Sequence, residues 1–240
     1  MKLNKVITLL FTFGLAVLLV APVQAQYTMK EKEVSPKKME KLTKKDKKKL
    51  VKFIKEKPVK EARKESKKLR KEGYLVFPGS APMDKQLERI WTKQYQENPD
   101  GTQKYLISDG NGVGKTQTAA EMQAMEAAKL QLAGQISNEV NQIIEGKIAN
   151  DQIDRETGNS LTKFVAGSKN YIVQNLMYVN PGFKIYRNVG SKDMEVAVKM
   201  FYNAEEAMIA AERALEQKIR NELESEADEL IEEINRLFKK

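Results

Sequence analysis

The chain reads as α+β: a small antiparallel sheet packed by long helices, with a basic helical arm ahead of it and a long acidic helix behind it. Three observations predict this. Met194 to Met200 alternates apolar and polar residues as a half-buried strand does, and Phe183 to Arg187 is a second extended piece just before it. Thr116 to Glu145 carries Met125, Ala128, Leu132, Ile136, Val140 and Ile143 at steps of three and four, the spacing of one buried helix face. Charge is divided along the chain: residues 26–72 hold 20 Lys and Arg against 8 Asp and Glu, whereas residues 73–240 hold 20 against 25.

The first 25 residues read as an export signal. Lys2 and Lys5 form a positive start, Val6 to Val20 is an apolar run, and Val23-Gln24-Ala25 supplies the small residues a signal peptidase requires. Cleavage is expected between Ala25 and Gln26, in preference to a retained anchor, because Pro22 and the Val-x-Ala ending are wrong for a span. About 215 residues would remain, one medium domain with extensions.

The arm, residues 26–72, is helical by pattern from about Lys37 to Glu72, with Met39, Leu42, Leu50, Phe53 and Ile54 as a thin apolar stripe. Pro58 interrupts the pattern, so two helices are predicted there. Such an arm is a solvated or protein-packed helix, or it lies on an anionic surface; nucleic acid is the weakest partner for an exported chain.

The domain proper is placed at residues 73–202. Gly73 to Gly79 is a short extended segment, Met83 to Gln96 a helix with Leu87, Ile90 and Trp91 on one face, and Asn98-Pro99-Asp100-Gly101 a turn. Lys104 to Ser108 reads as a strand running into a Gly-rich loop ahead of the Thr116 helix. A helix over about Ser160 to Asn175 follows, presenting Leu161, Phe164, Val165 and Ile172; next come Met177 to Val179 and a Pro181-Gly182 turn. Residues 203–238 read as one long helix. Within it Asn221 to Glu233 has seven acids and no base, and Leu223, Ala227, Leu230, Ile234 and Leu237 step by four and three as a coiled-coil seam does. That seam would pair with a second copy, giving a homodimer, or with the basic arm, or would dock on its own sheet.

Absent residue types close several functional classes. With no Cys and no His in 240 residues, disulfides, thiolate nucleophiles, Ser-His-Asp triads and ordinary zinc sites are excluded. A lipid anchor through a lipobox Cys is excluded too. The acids Glu121, Glu126, Glu139, Glu145 and Glu195 fall on helix surfaces or alternate along a strand, so no catalytic pair, metal site or cofactor is expected.

One local run invites a binding role. Gly110, Asn111, Gly112, Gly114, Lys115 and Thr116 lie between a predicted strand and a helix, where glycine amides and a helix N-terminus can hold an anion. As a P-loop the spacing fails: only three residues separate Gly110 from Gly114-Lys115-Thr116, and Asp109 puts a carboxylate where phosphates would sit. The run is a candidate loop for a small polar ligand, or a plain strand-to-helix turn capped by Thr116.

A strand ending in a Gly-x-Gly-type segment, then the Ala-rich helix Thr118 to Ile136, then a second helix and strands resembles the Lpp-twenty family of small bacterial envelope proteins, similar in turn to the N-terminal domain of the flagellar assembly protein T. The resemblance covers residues 104–202. It implies that the glycines are structural, that the alanines let the helix lie close on the sheet, and that there are no catalytic residues. The name-giving members are lipid-anchored through a Cys, which this chain lacks. The expectation is therefore an exported, non-catalytic envelope protein of the periplasm or outer membrane, a structural or adaptor module whose basic arm meets an envelope protein or anionic surface. The alternative is a periplasmic domain that binds a small polar molecule through the Gly-rich run.

Overall fold

The computed structural model describes residues 44–179, 181–223 and 227–238, with side chains from Glu56 onward. The leader with its Ala25–Gln26 junction, and Met39 and Leu42 of the arm stripe, lie outside the described residues; the side chains of Leu50, Phe53 and Ile54 do too.

Four antiparallel strands make the sheet, in the order β1 (Leu75–Val76), β3 (Pro181–Val189), β4 (Asp193–Asn203), β2 (Tyr105–Gly114). This is the predicted α+β architecture. β4 is central, and its alternation sorts the two faces: Val196, Val198, Met200 and Tyr202 enter one core, while Ala197 and Phe201 border another. Helices cover both faces. α1 (Lys44–Lys71) and α2 (Met83–Gln94) lie on the side of Phe183 and Ile185. α3 (Gln117–Ala149), α4 (Arg155–Ala166), α5 (Lys169–Asn175), α6 (Ala204–Glu222) and α7 (Ala227–Phe238) fill the other side around Leu132, Ile136, Leu161, Leu215 and Ile219.

Thr116 starts α3 as predicted, its side chain accepting from the Ala119 amide, and Ala128, Leu132, Ile136 and Val140 are fully buried. Asn203 caps α6 in the same way, accepting from the amides of Glu205 and Glu206.

Five expectations need correction. The arm is a single helix from Lys44 to Lys71 that runs through Pro58. The proline removes one backbone bond, but its ring is buried in line with Ala62 and Ser66 on the domain, which offsets that loss. Of the alternatives for the arm, residues 56–71 match the protein-packed helix: Ala62 is buried in the core beneath it and Leu69 packs half-buried against that core.

The 203–238 segment is two helices. Leu223 leaves helical geometry (φ −130°, ψ 51°), and α7 packs back with Ala227, Ile231, Ile234 and Leu237 buried in the main core. A straight helix of that length would span about 54 Å and carry its apolar seam past the sheet into water. The seam read as a coiled coil is thus consumed within its own chain. Because the core holding α7 and the core holding α1 lie on opposite faces of the sheet, the intramolecular pairing of basic arm with acidic helix does not form among the described residues.

The 160–175 helix is also two helices, α4 and α5, parted at Gly167 and Ser168, where the Ser168 hydroxyl donates to the Val165 carbonyl. Pro181 and Gly182 begin β3 at a bulge and do not form a free turn. The fifth correction concerns the Gly-rich run.

Candidate functional site

Gly110-Asn111-Gly112-Val113-Gly114 is strand, not loop. β2 continues to Gly114 and stays in register with β4 throughout, Gly110 opposite Val198 and Gly114 opposite Met194. The reason is the helix above. Gly110, Gly112 and Gly114 project toward Ala128, Ala124 and Ala120, so close that a Cβ on Gly110 would lie 2.0 Å from the Ala124 carbonyl oxygen, and one on Gly112 2.3 Å from that of Ala120. Every second strand residue advances about 6.6 Å and every fourth helical residue about 6.0 Å, so glycine and alanine meet in step for three repeats.

The same pacing seals the sheet edge. Gln123 accepts from the Val113 amide at 2.8 Å, Gln131 accepts from the Asp109 amide, and Gln135 donates to the Ile107 carbonyl at 2.8 Å. On β3, just past the residues paired with β1, Gln86 accepts from the Lys184 amide at 2.9 Å. At the outward edge of the run the Asp109 and Val113 amides are thus occupied, and α3 covers one of its faces. Lys115 and Thr116 are exposed, Thr116 being used as the cap. Gly110 to Gly114 are therefore strand residues packed under α3, not a loop, and Lys115 and Thr116 follow them at the exposed end of the run.

The other face of the sheet carries a charge network that holds α1. Lys199, about a quarter exposed, pairs with Asp109 at 2.9 Å and with Glu65 of α1 at 3.3 Å. Burial opposes its charge, yet the two carboxylates hold its ammonium pKa above the ordinary value. Glu65 also accepts from the Trp91 indole at 2.8 Å. Nearby, Tyr74 donates to Glu195 at 2.9 Å, Arg187 pairs with the same carboxylate at 2.7 Å, and the Arg187 guanidinium also donates to the Glu72 carbonyl. Burial and that carboxylate push the Tyr74 phenol up to about 12.

With Pro58, Ala62 and Ser66 turned inward, α1 shows water the opposite face. Lys60, Arg63, Lys64, Lys67, Lys68, Arg70 and Lys71 are all exposed there. Lys68 meets Glu72 and Arg70 meets Asp84 only at 3.8 Å, distances at which exposed pairs contribute little. The result is a basic rail along α1.

A second feature was invisible in the sequence. Where β2 begins and β4 ends, a cleft of about 530 Å³ opens between α6 and the connection after α5. Tyr105, Phe201 and Tyr202 form its aromatic side, Ala210 its floor, and Met177, Tyr178 and Ile209 its rim, with Glu206 and Arg213 on α6. Tyr178 is 89% exposed on left-handed backbone (φ 52°), a conformation an aromatic residue adopts rarely. These residues come from three separated stretches of sequence, so no local motif announces them.

No family model, curated protein or solved structure matches this chain.

Among the described residues no group of three or more Asp and Glu converges as a metal site, and no helix is long and apolar enough to cross a membrane. Glu139, one of the acids noted in the sequence, has its pKa raised by burial alone. The others remain apart in function: Glu121 pairs with Lys184 at 2.6 Å and Glu195 serves Tyr74 and Arg187. The two surface features the structure presents are a cationic helix and an aromatic cleft.

Proposed function

We propose that the protein is an exported, non-catalytic module of the bacterial cell envelope whose α1 rail binds an anionic envelope surface. One observation carries this reading. Seven exposed cations occupy residues 60–71 of a helix whose opposite stripe packs on the domain, so the backbone that presents them is already ordered when they reach a surface. Each basic residue held near an anionic membrane contributes up to about 1 kcal/mol. The leader-like start, Lys2 through Ala25, supports export. The packing of Gly110, Gly112 and Gly114 on Ala120, Ala124 and Ala128 supports the likeness to the Lpp-twenty family, in which such glycines are structural.

Vesicle co-sedimentation tests it. The protein should pellet with phosphatidylglycerol-containing vesicles and stay in solution with neutral ones, and raising salt from about 0.05 M to about 0.5 M should release it, because the Debye length falls several-fold. Neutralising Lys60, Arg63, Lys64 and Lys67 to Gln should remove up to about 4 kcal/mol of binding without lowering the melting temperature. Equal binding to neutral vesicles, or none to anionic ones, ends the reading. Cell fractionation with and without residues 2–25 tests the export half separately.

A further inference from the structure

We infer that the cleft beside Tyr178 is a self-association surface, occupied by a second copy of this chain about a two-fold axis with α6 antiparallel to α6. An interface of that symmetry uses one patch on both partners, so the patch must contain both the protruding part and the recess that receives it. Here they are adjacent. Tyr178, 89% exposed, and Met177, 54% exposed, stand out at the rim of the recess, and the small Ala210 floors it. Left-handed backbone at a tyrosine is unfavourable in isolation and persists where surroundings or a function impose it.

Charge sets the register. Glu206, Ile209, Ala210 and Arg213 share one face of α6, at i, i+3, i+4 and i+7. Antiparallel pairing centred between Ile209 and Ala210 puts Glu206 of each copy opposite Arg213 of the other, twice, and lays Ile209, 47% exposed, on the partner's Ala210. Neither the Glu206 carboxylate nor the Arg213 guanidinium has an ion-pair or hydrogen-bond partner among the described residues. Parallel pairing would set like charges together.

Tyrosine, methionine and arginine are also the residues enriched at the centres of protein interfaces. A saccharide would stack on the tyrosines but leave Ile209 and Met177 in water. The seam at Ala227 to Leu237 is buried in its own core, so this face of α6 replaces it as the dimer contact on the C-terminal segment.

Sedimentation equilibrium of the purified full chain, from about 1 µM to about 500 µM in lipid-free buffer, reads the dimer directly. Ile209→Glu should weaken it about tenfold or more while leaving the melting temperature unchanged, since the side chain is half exposed. Tyr178→Gly should weaken the dimer and yet melt no lower, because glycine relieves the left-handed backbone. Glu206→Arg and Arg213→Glu should each weaken it about tenfold or more, and the double variant E206R/R213E should restore it.

A wild-type monomer throughout that range overturns the inference and leaves the cleft to a saccharide or a different protein. So does a dimer indifferent to Ile209→Glu, and so does a double swap that fails to restore what the single swaps lose. The measurement needs no lipid and does not touch α1, so its failure leaves the anionic-surface reading standing, and the reverse holds.

Discussion

Replacing Gly110 with alanine probes the contact on which the fold turns. In an ordinary strand this change is favourable by roughly 0.5–1 kcal/mol, because glycine has more conformational freedom to lose. Here the new methyl would sit 2.0 Å from the Ala124 carbonyl oxygen and 2.6 Å from the Ala128 amide nitrogen. Both are backbone atoms of a buried helix, so no side chain can rotate away. To bring the first contact to the 3.0 Å limit, α3 must retreat by about 1 Å. That retreat stretches the bonds from Gln123, Gln131 and Gln135 to β2 and opens the layer around Ala120, Ala124 and Ala128.

Overpacking with flexible neighbours costs about 1–3 kcal/mol, so against rigid backbone the expected loss is at least about 3 kcal/mol. That is a large share of a domain stability of about 5–15 kcal/mol. Urea denaturation followed by circular dichroism measures it, with Gly134→Ala as the internal control. Gly134 lies in the same helix with only the Lys169 ammonium within reach, at 4.0 Å, so alanine there should stabilise by up to about 1 kcal/mol. If Gly110→Ala falls within about 0.5 kcal/mol of wild type, α3 does not lie on β2 and the strand assignment of the run is wrong.

Three further outcomes follow from the same geometry. Glu65→Ala should cost about 2–3 kcal/mol, since it strips one carboxylate from Lys199 and leaves the Trp91 indole unpaired; Glu65→Gln should cost less than half of that, and hydrogen exchange should show α1 amides opening faster in the alanine variant alone. Gln131→Ala should speed exchange of the Asp109 amide and cost about 1 kcal/mol, with concentration-dependent aggregation appearing if Gln123 and Gln135 are removed as well, because the β2 edge is then open to pairing. Tyr74 holds its proton to about 12 in the folded state against 10.0 unfolded, so its contribution, up to about 3 kcal/mol, is complete below pH 10 and lost as pH rises toward 12; Tyr74→Phe should flatten that part of the alkaline stability curve relative to wild type.

The sheet and the helix beside it were legible because their signals are local. Alternation in Met194 to Met200, the stripe Ala128 to Val140 and the cap at Thr116 each depend on residues within a few positions of one another. The Gly-rich run misled because glycine lowers strand propensity wherever it stands, and propensity does not register a helix pressed against it. A clue was present: glycines at 110, 112 and 114 step by two while alanines at 120, 124 and 128 step by four, the ratio at which strand and helix advance together. Pro58 misled for the converse reason, since its burial beside Ala62 is a tertiary effect. The α6–α7 break has no proline or glycine to mark it; the helix folds back because the seam needs cover. The cleft stayed hidden because Tyr105, Tyr178, Phe201 and Arg213 meet only once the sheet has formed.

What the strands and helices accomplish together is the placing of a cationic surface. A flexible lysine-rich segment must give up chain and side-chain freedom when it settles on an anionic plane, at a cost of about 0.5–1.5 kcal/mol for each immobilised side chain and more for backbone. In this protein the backbone part of that cost is met on folding. Pro58, Ala62 and Ser66 seat α1 on the core, and Glu65, held by Trp91 and Lys199, fixes its rotation about its own axis. Lys199 in turn is braced by Asp109, on the strand whose glycines admit α3. Loosening that brace should therefore weaken binding to anionic vesicles even though no exposed cation has changed. Glu65→Ala separates the two contributions: it raises the net positive charge by one, so a purely electrostatic rail would bind more tightly, whereas a rail that depends on being held in place would bind less.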